Sequence, residues 1–263
     1  MINKTYYFLS GLPRSGSTVL SSILNQNPAV YVTPTSPMLD QLIENQNIWH
    51  NLQTVRANPV PDQLTNITKS LINAMWQHRP EEVILDKNRG WCKNMPSSTI
   101  LFEKEIKMIV TIRDLPSIMA SWMTLLEKNP GNFLDKRILE KGFPINNDNR
   151  MAEMWFNMVK DCMDSVLQAK KDASNRLLLI NYDNLVSEPL DVLTRIESFL
   201  NLPTYKYNID NIVSVTNDND LKAWGLHGMH TIRPKLNKIS TDPRKILGDM
   251  LYNRFVELEK QYV

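Results

Sequence analysis

Residues 11 to 18 read GLPRSGST and follow a short apolar run, Tyr6-Tyr7-Phe8-Leu9-Ser10. The octet nearly meets the phosphate-loop pattern G-x-x-x-x-G-K-[ST]. Gly11, Gly16 and Thr18 stand where the pattern requires them, and Ser17 stands in place of its lysine. A loop that joins a strand to a helix offers backbone N–H groups and the positive end of the helix to an anion. Its glycines let the chain curl around that anion, and Ser15, Ser17 and Thr18 add hydroxyl donors. A kinase or NTPase also needs the lysine on the β- and γ-phosphates. Arg14 offers instead a planar fork of donors suited to a tetrahedral oxyanion.

Three further polar signals follow apolar, β-branched runs: Asp86-Lys87 after Val83-Ile84-Leu85, Arg113-Asp114 after 107–112, and Tyr182 after 177–181. The elements that must position them alternate strand and helix. Strands are expected at 5–10, 29–32, 83–85, 107–112 and 177–182. Helices are expected at 18–25, from Pro37 (capped by Ser36) to about 47, 62–78, through Ser121 to about 126, 149–173, 189–200 and 243–260. The helix at 149–173 would bury Ala152, Trp155, Val159, Cys162, Val166 and Ala169 on one face. Such alternation predicts an α/β fold of three layers, with a mostly parallel central sheet flanked by helices. In open sheets of this kind ligands bind at the C-terminal ends of the strands, where the four signals converge.

The chain has 263 residues, enough for one large domain spanning 1–263. Thirty basic against 28 acidic residues leave +2, so no global field draws the chain to nucleic acid or membrane and any anion site must be local. Residues 15–39 carry no charge, yet their Ser, Thr, Asn and Gln and three prolines are unlike a membrane span. Met1-Ile2-Asn3-Lys4 leads straight into a strand-like run rather than a signal peptide. Cys92 and Cys162 lack metal-ligand spacing and read as free thiols of a reducing compartment, so a cytoplasmic protein is expected.

Strand-GLPRSGST-helix resembles the 5′-phosphosulfate loop of sulfotransferases that use 3′-phosphoadenosine-5′-phosphosulfate (PAPS). The form P-R-S-G-[ST]-T is similar to that of tyrosylprotein sulfotransferases and their bacterial relatives. The resemblance implies a P-loop-like sulfotransferase fold, PAPS as donor, 3′-phosphoadenosine-5′-phosphate (PAP) as product, and no metal. It makes Arg14, Ser15, Gly16, Ser17 and Thr18 donor-site residues. Arg113 and Ser121, eight residues apart, resemble the family's 3′-phosphate motif, although Leu125 stands where relatives often add a basic residue. Asn181-Tyr182-Asp183-Asn184-Leu185 with Glu188-Pro189 resembles the family's "YEDL…EP" element and makes Tyr182 an adenine contact. Thr231-Ile232-Arg233-Pro234 resembles its "[KR]-P" loop and makes Arg233 a second phosphate contact. The landmarks span residues 6–234. Relatives place a lysine beside the leaving oxygen at the end of a strand, which implies Lys87 as an electrostatic or general-acid residue, with Arg14 next to it.

The general base is open. Small-molecule sulfotransferases carry histidine two residues after the lysine, where this chain has Arg89, and arginine does not deprotonate. Tyrosylprotein sulfotransferases carry glutamate about twenty residues after the loop arginine, where this chain has Thr33-Pro34-Thr35-Ser36-Pro37. Asp40, Asp86, His227 and His230 are the candidates, the two histidines lying near a glycine-containing stretch (224–228) that resembles a mobile lid. The expected activity is sulfuryl transfer to a hydroxyl or amine of a small molecule, peptide or carbohydrate. The alternatives are a P-loop nucleoside kinase or NTPase and a non-catalytic module that binds adenosine phosphates.

Overall fold

The computed structural model describes residues 4–214, 219–236 and 242–262. Met1, Ile2 and Asn3, expected to lead into the first strand, lie outside the described residues. In chain order the elements are β1 (Thr5–Gly11), α1 (Ser17–Leu24), β2 (Val30–Val32), α2 (Met38–Asn51), α3 (Gln53–Ala57), α4 (Pro61–Trp76), β3 (Val83–Lys87), α5 (Met95–Phe102) and β4 (Met108–Ile112). They continue with α6 (Leu115–Glu127), α7 (Phe133–Glu140), α8 (Asn147–Met154), α9 (Lys160–Ala173), β5 (Leu177–Asn181), α10 (Tyr182–Ser187), α11 (Pro189–Leu200), α12 (Asp220–Trp224) and α13 (Pro243–Glu259).

The strands form one parallel sheet in the order β2-β3-β1-β4-β5. From β1 the chain passes to β2 at one edge and returns to β3 beside β1, then crosses to β4 and β5 on the other side. β1 is therefore the topological switch point, where an open sheet makes its crevice. Both faces are covered, which is why β1 and β4 are apolar at successive residues rather than at alternate ones. Tyr6, Phe8, Ile84, Met108 and Val110 pack on one face against α4, α5, α6 and α13. Leu9, Leu85 and Ile109 pack on the other against α1 and α11.

The long helix expected at 149–173 is two helices joined by a π-helical turn at Trp155–Val159. The wide turn shifts the buried face. Met151 and Met154 face inward before it, Trp155 and Val159 at its two ends, and Met163, Val166 and Ala169 after it. Ala152 and Cys162, placed on that face from spacing, are only half-buried. The last helix is interrupted at Gly248, and its first turn is capped by Asp242 as expected. Tyr182 begins α10 instead of ending β5. Both cysteines are free.

Strand alternation separates Asp86 from Lys87. Phe8 pairs with Asp86 and Leu9 with Lys87, so the two ionic side chains leave β3 toward opposite faces. Asp86 is fully buried. It accepts hydrogen bonds from Trp91 Nε1 at 2.8 Å and from the Ser36 hydroxyl, while the Trp91 ring stacks on Phe8 with centroids 3.7 Å apart. Ser36, expected to cap a helix starting at Pro37, accepts the N–H of Met38, the bond such a cap makes, although α2 itself begins at Met38, and its hydroxyl also donates to Asp86.

Burial pushes the Asp86 carboxyl up to about 6, against the lowering effect of its two hydrogen bonds. An acid raised on folding stabilises the fold below its unfolded value and loses that contribution as pH rises through the folded one. Relative to an Asp86→Asn variant, the wild-type chain should therefore lose about 1–3 kcal/mol between roughly pH 4 and pH 7 in urea unfolding. Parallel stability–pH curves for the two proteins would contradict this.

Candidate functional site

β1 ends in a loop held against β4. The Leu12 N–H donates to Thr111 O at 2.8 Å, and Ser15 Oγ lies 2.7 Å from Thr111 Oγ1. Gly11 makes this approach possible. Its φ is +133°, and a Cβ there would lie 2.2 Å from Thr111 O. Arg14 takes up a left-handed φ of 59°. Gly16 (φ 90°) precedes α1, and no side chain caps that helix, which leaves the N–H groups of its first turn for a ligand. A side chain at Gly16 would press on the Tyr182 ring, 2.9 Å from an ideal Cβ.

These residues line a cavity of about 550 Å³ at the C-terminal edge of the sheet. It brings together Arg14, Gly16, Ser17, Thr18, Lys87, Arg113, Ser121, Tyr182 and Arg233, nearly the whole set expected from sequence. Ser15 is the exception. Its hydroxyl is buried, donating to Leu12 O at 2.5 Å and meeting Thr111, so only its backbone can serve an anion.

Two clusters of polar side chains line the cavity. In one, Lys87 Nζ reaches Thr18 Oγ1 at 3.3 Å, so the ammonium missing from position 17 is supplied from β3. In the other, Arg14 Nε donates to Ser121 Oγ at 3.0 Å and its Nη1 to Met229 O at 2.5 Å, with the guanidinium beside Trp122. Sequence placed Arg14 next to Lys87, whereas its contacts are with α6 and the 229 segment. Arg113 Nη1 donates to Arg14 O at 3.0 Å, and its guanidinium lies 4.2 Å from the centre of the Tyr182 ring. Burial, reinforced by Arg113, lowers the proton affinity of Arg14. Among the described residues neither guanidinium forms an ion pair. Two neighbouring half-buried cations without an ion-pair partner are costly unless an anion joins them.

The four base candidates part company. Asp40 lines the cavity from an exposed position in the first turn of α2. Asp86 lies behind the wall, in contact with Ser36, which does line it. His227 is exposed and outside the lining, its backbone bonded in both directions to the Asn129 side chain. His230 lines the cavity with Nδ1 2.6 Å from Asp220 Oδ1. Asp220 also accepts from the His230 N–H at 2.8 Å. The stretch expected to be a mobile lid is thus tied down by Asn129, Asp220 and Arg14, with Leu226 fully buried between them. Trp122, Asp220 and the Met229 carbonyl were not singled out from sequence. Nothing in their local pattern marks them, because each acts through a partner distant in the chain.

A model of the sulfotransferase family matches residues 7–206, about three quarters of the chain. The protein-tyrosine sulfotransferase A of Caenorhabditis elegans is 21% identical over 207 residues, covering 75% of this chain and 50% of that protein. The protein-tyrosine sulfotransferase of Drosophila melanogaster is 19% identical, covering 74% of this chain and 38% of that one. The chain thus spans half or less of the length of these two relatives. Among solved structures, the mouse sulfotransferase SULT7A1 complexed with PAP superposes with a TM-score of 0.53 at 14% identity, covering 99% of this chain and 84% of that one. A sulfotransferase from Alicyclobacillus acidocaldarius gives 0.50 at 12% identity, covering 100% and 96%. At such identities the superpositions speak for the fold, and it is the one expected: a parallel sheet of P-loop-like type with a phosphate loop after its first strand. With the family model matching across that loop and the strands on either side of it, the chain belongs to the sulfotransferase family.

Proposed function

We propose that this chain transfers the sulfuryl group of PAPS to a hydroxyl or amine acceptor by in-line displacement, without a metal ion. The observation that carries this is the Arg14–Arg113 pair beside Ser121, without an ion pair among the described residues, in the same cavity as an uncapped helix N-terminus. Two separate anion sites in one cavity suit a nucleotide with phosphates at both 3′ and 5′ positions. The residues present fit this donor. The N–H groups of Ser15, Gly16, Ser17 and Thr18, with the hydroxyls of Ser17 and Thr18, hold the 5′-phosphate. Arg113 and Ser121, joined by Arg14, hold the 3′-phosphate through charge-assisted hydrogen bonds. Tyr182, whose ring Arg113 already covers, is the adenine platform, and Arg233 adds charge from the outer rim.

When bound, the donor supplies an activated sulfuryl group whose leaving oxygen belongs to a phosphate. In a loose transition state charge collects on that oxygen, and cations aimed at it are the main catalytic lever. The approach of Lys87 to Thr18 supports this role for it. The relatives named protein-tyrosine sulfotransferases support a hydroxyl acceptor, small or polymeric. The two free thiols support a reducing, cytoplasmic setting. One domain over 1–263 is consistent with elements from β1 to α13 packing on the same sheet.

The test is transfer of labelled sulfur from PAPS to an acceptor panel in the presence of EDTA. Lys87→Ala should lower kcat by roughly 100-fold or more and keep PAP affinity within about threefold, because uniform binding would be little changed. Wild-type transfer that needs magnesium, or undiminished transfer by Lys87→Ala, would refute the assignment. Arg113→Lys retains the charge but loses the fork and the stack on Tyr182. It should weaken PAP binding by about tenfold in calorimetry, and unchanged affinity would remove Arg113 from the site.

A further inference from the structure

Ser36 is held on the same rim as Lys87 by the backbone. Its N–H donates to Lys87 O at 3.3 Å, Asn88 Nδ2 donates to Ser36 O at 3.2 Å, and the Lys87 N–H donates to Thr33 Oγ1 at 2.6 Å. Ser36 lines the cavity and is the link between that space and Asp86, whose carboxyl lies behind it and accepts the Ser36 hydroxyl proton. A hydroxyl has one proton and two lone pairs. The proton of Ser36 is committed to Asp86 and one lone pair to the Met38 N–H at 3.1 Å, which leaves one acceptor position.

We propose that the acceptor's proton leaves through Ser36 to Asp86, a relay that takes the place of a general base in direct contact with the acceptor. The inference rests on the sulfotransferase reading above. The acceptor O–H donates to Ser36 Oγ. As the acceptor oxygen bonds to sulfur, its O–H bond breaks toward Ser36 Oγ and the Ser36 O–H bond breaks toward Asp86 Oδ2. The sulfur–oxygen bond to the 5′-phosphate breaks with its electron pair left on the phosphate. Asp86 ends neutral and returns its proton to solvent by the same path after product leaves. No other reactant is required.

Three features support the relay over the other candidates. His230 directly follows Met229, whose carbonyl accepts from Arg14 beside Ser121, whereas the Ser36 N–H is bonded to the Lys87 carbonyl. Asp40 is exposed, and His227 is outside the cavity. Asp86, raised to about 6, is ionised at neutral pH yet basic enough to take a proton, which is where a general base is most useful. The titratable groups facing it are Tyr6 from β1, Tyr31 from β2 and Asp40 from α2, and none supplies a positive charge that would hold it ionised.

The relay is tested with Ser36→Ala and Ser36→Thr, which leave Asp86 its bond to Trp91. The acceptors are phenol and 4-nitrophenol at pH 8, the second being mostly ionised there and needing no base. Ser36→Ala should lose roughly 100-fold in kcat/KM on phenol and less than about fivefold on 4-nitrophenol. Ser36→Thr, which keeps the hydroxyl, should recover most of the phenol activity. In the free protein labelled with 13C-aspartate, the carboxyl resonance missing from Asp86→Asn should titrate higher in Ser36→Ala than in wild type. That titration needs no acceptor and so decides the coupling whether or not these phenols are accepted. Equal losses on the two phenols, full phenol activity in Ser36→Ala, or an Asp86 titration indifferent to residue 36 would each overturn the relay. Such results with wild-type PAP affinity leave the donor site standing, whereas a wild-type chain that fails to bind PAP overturns both.

Discussion

The loop after β1 and the end of β4 meet at Thr111, and Gly11 leaves no gap between them. The Leu12 N–H, the Ser15 hydroxyl and the would-be Cβ of Gly11 all converge on that one residue. This contact spends the Ser15 hydroxyl inside the loop. In return it lays the loop across the ends of two adjacent strands, so that Arg14 reaches Ser121 on α6 and Arg113 reaches the Arg14 carbonyl. The rest of the site follows from it. Tyr182 fits over Gly16 because Gly16 carries no side chain, and α1 starts uncapped because a glycine precedes it.

Electrostatically the site is poised for an anion that no described carboxylate supplies through an ion pair. Arg14 lies half-buried beside Arg113, and each is steadied by an aromatic ring and by neutral oxygens. A carboxylate partner would satisfy the guanidiniums and close the site to phosphate. Leaving them unsatisfied costs stability, a cost that ligand binding offsets. Elsewhere the same chain pairs a buried charge within the fold. Asp135 takes both arms of Arg150 at 2.7 and 2.8 Å, and burial there is compensated within the fold. The contrast between the two arginine settings separates a structural ion pair from a binding site.

Much of this was legible in the sequence, for a physical reason. Strand ends in a parallel sheet are marked by apolar runs that stop abruptly at a polar residue, so Lys87, Arg113 and Tyr182 could be placed at one edge from pattern alone. The octet marks itself by glycine spacing. What stayed hidden was pairing across the chain. Nothing near Ser36 shows that its hydroxyl would reach Asp86, fifty residues later, and a helix cap was the local explanation. His230 gives no sign of Asp220, nor Arg14 of Met229. The π-turn at Trp155–Val159 was equally invisible, because 3.6-residue spacing fits either half of the segment and only packing shows the shift between them. The base was left open for the same reason: four candidates share suitable chemistry, and only their position relative to the cavity tells them apart.

The most direct measurement is calorimetric titration of the wild-type chain with PAP and, separately, with adenosine 5′-monophosphate at the same ionic strength. The nucleotides differ only in the 3′-phosphate, which this account assigns to Arg113, Ser121 and Arg14. Two charge-assisted hydrogen bonds at about 1.5 kcal/mol each should make PAP bind roughly 100-fold more tightly. Equal affinity for the two nucleotides, or no binding of PAP, would contradict the assignment of the cavity to a 3′-phosphorylated donor.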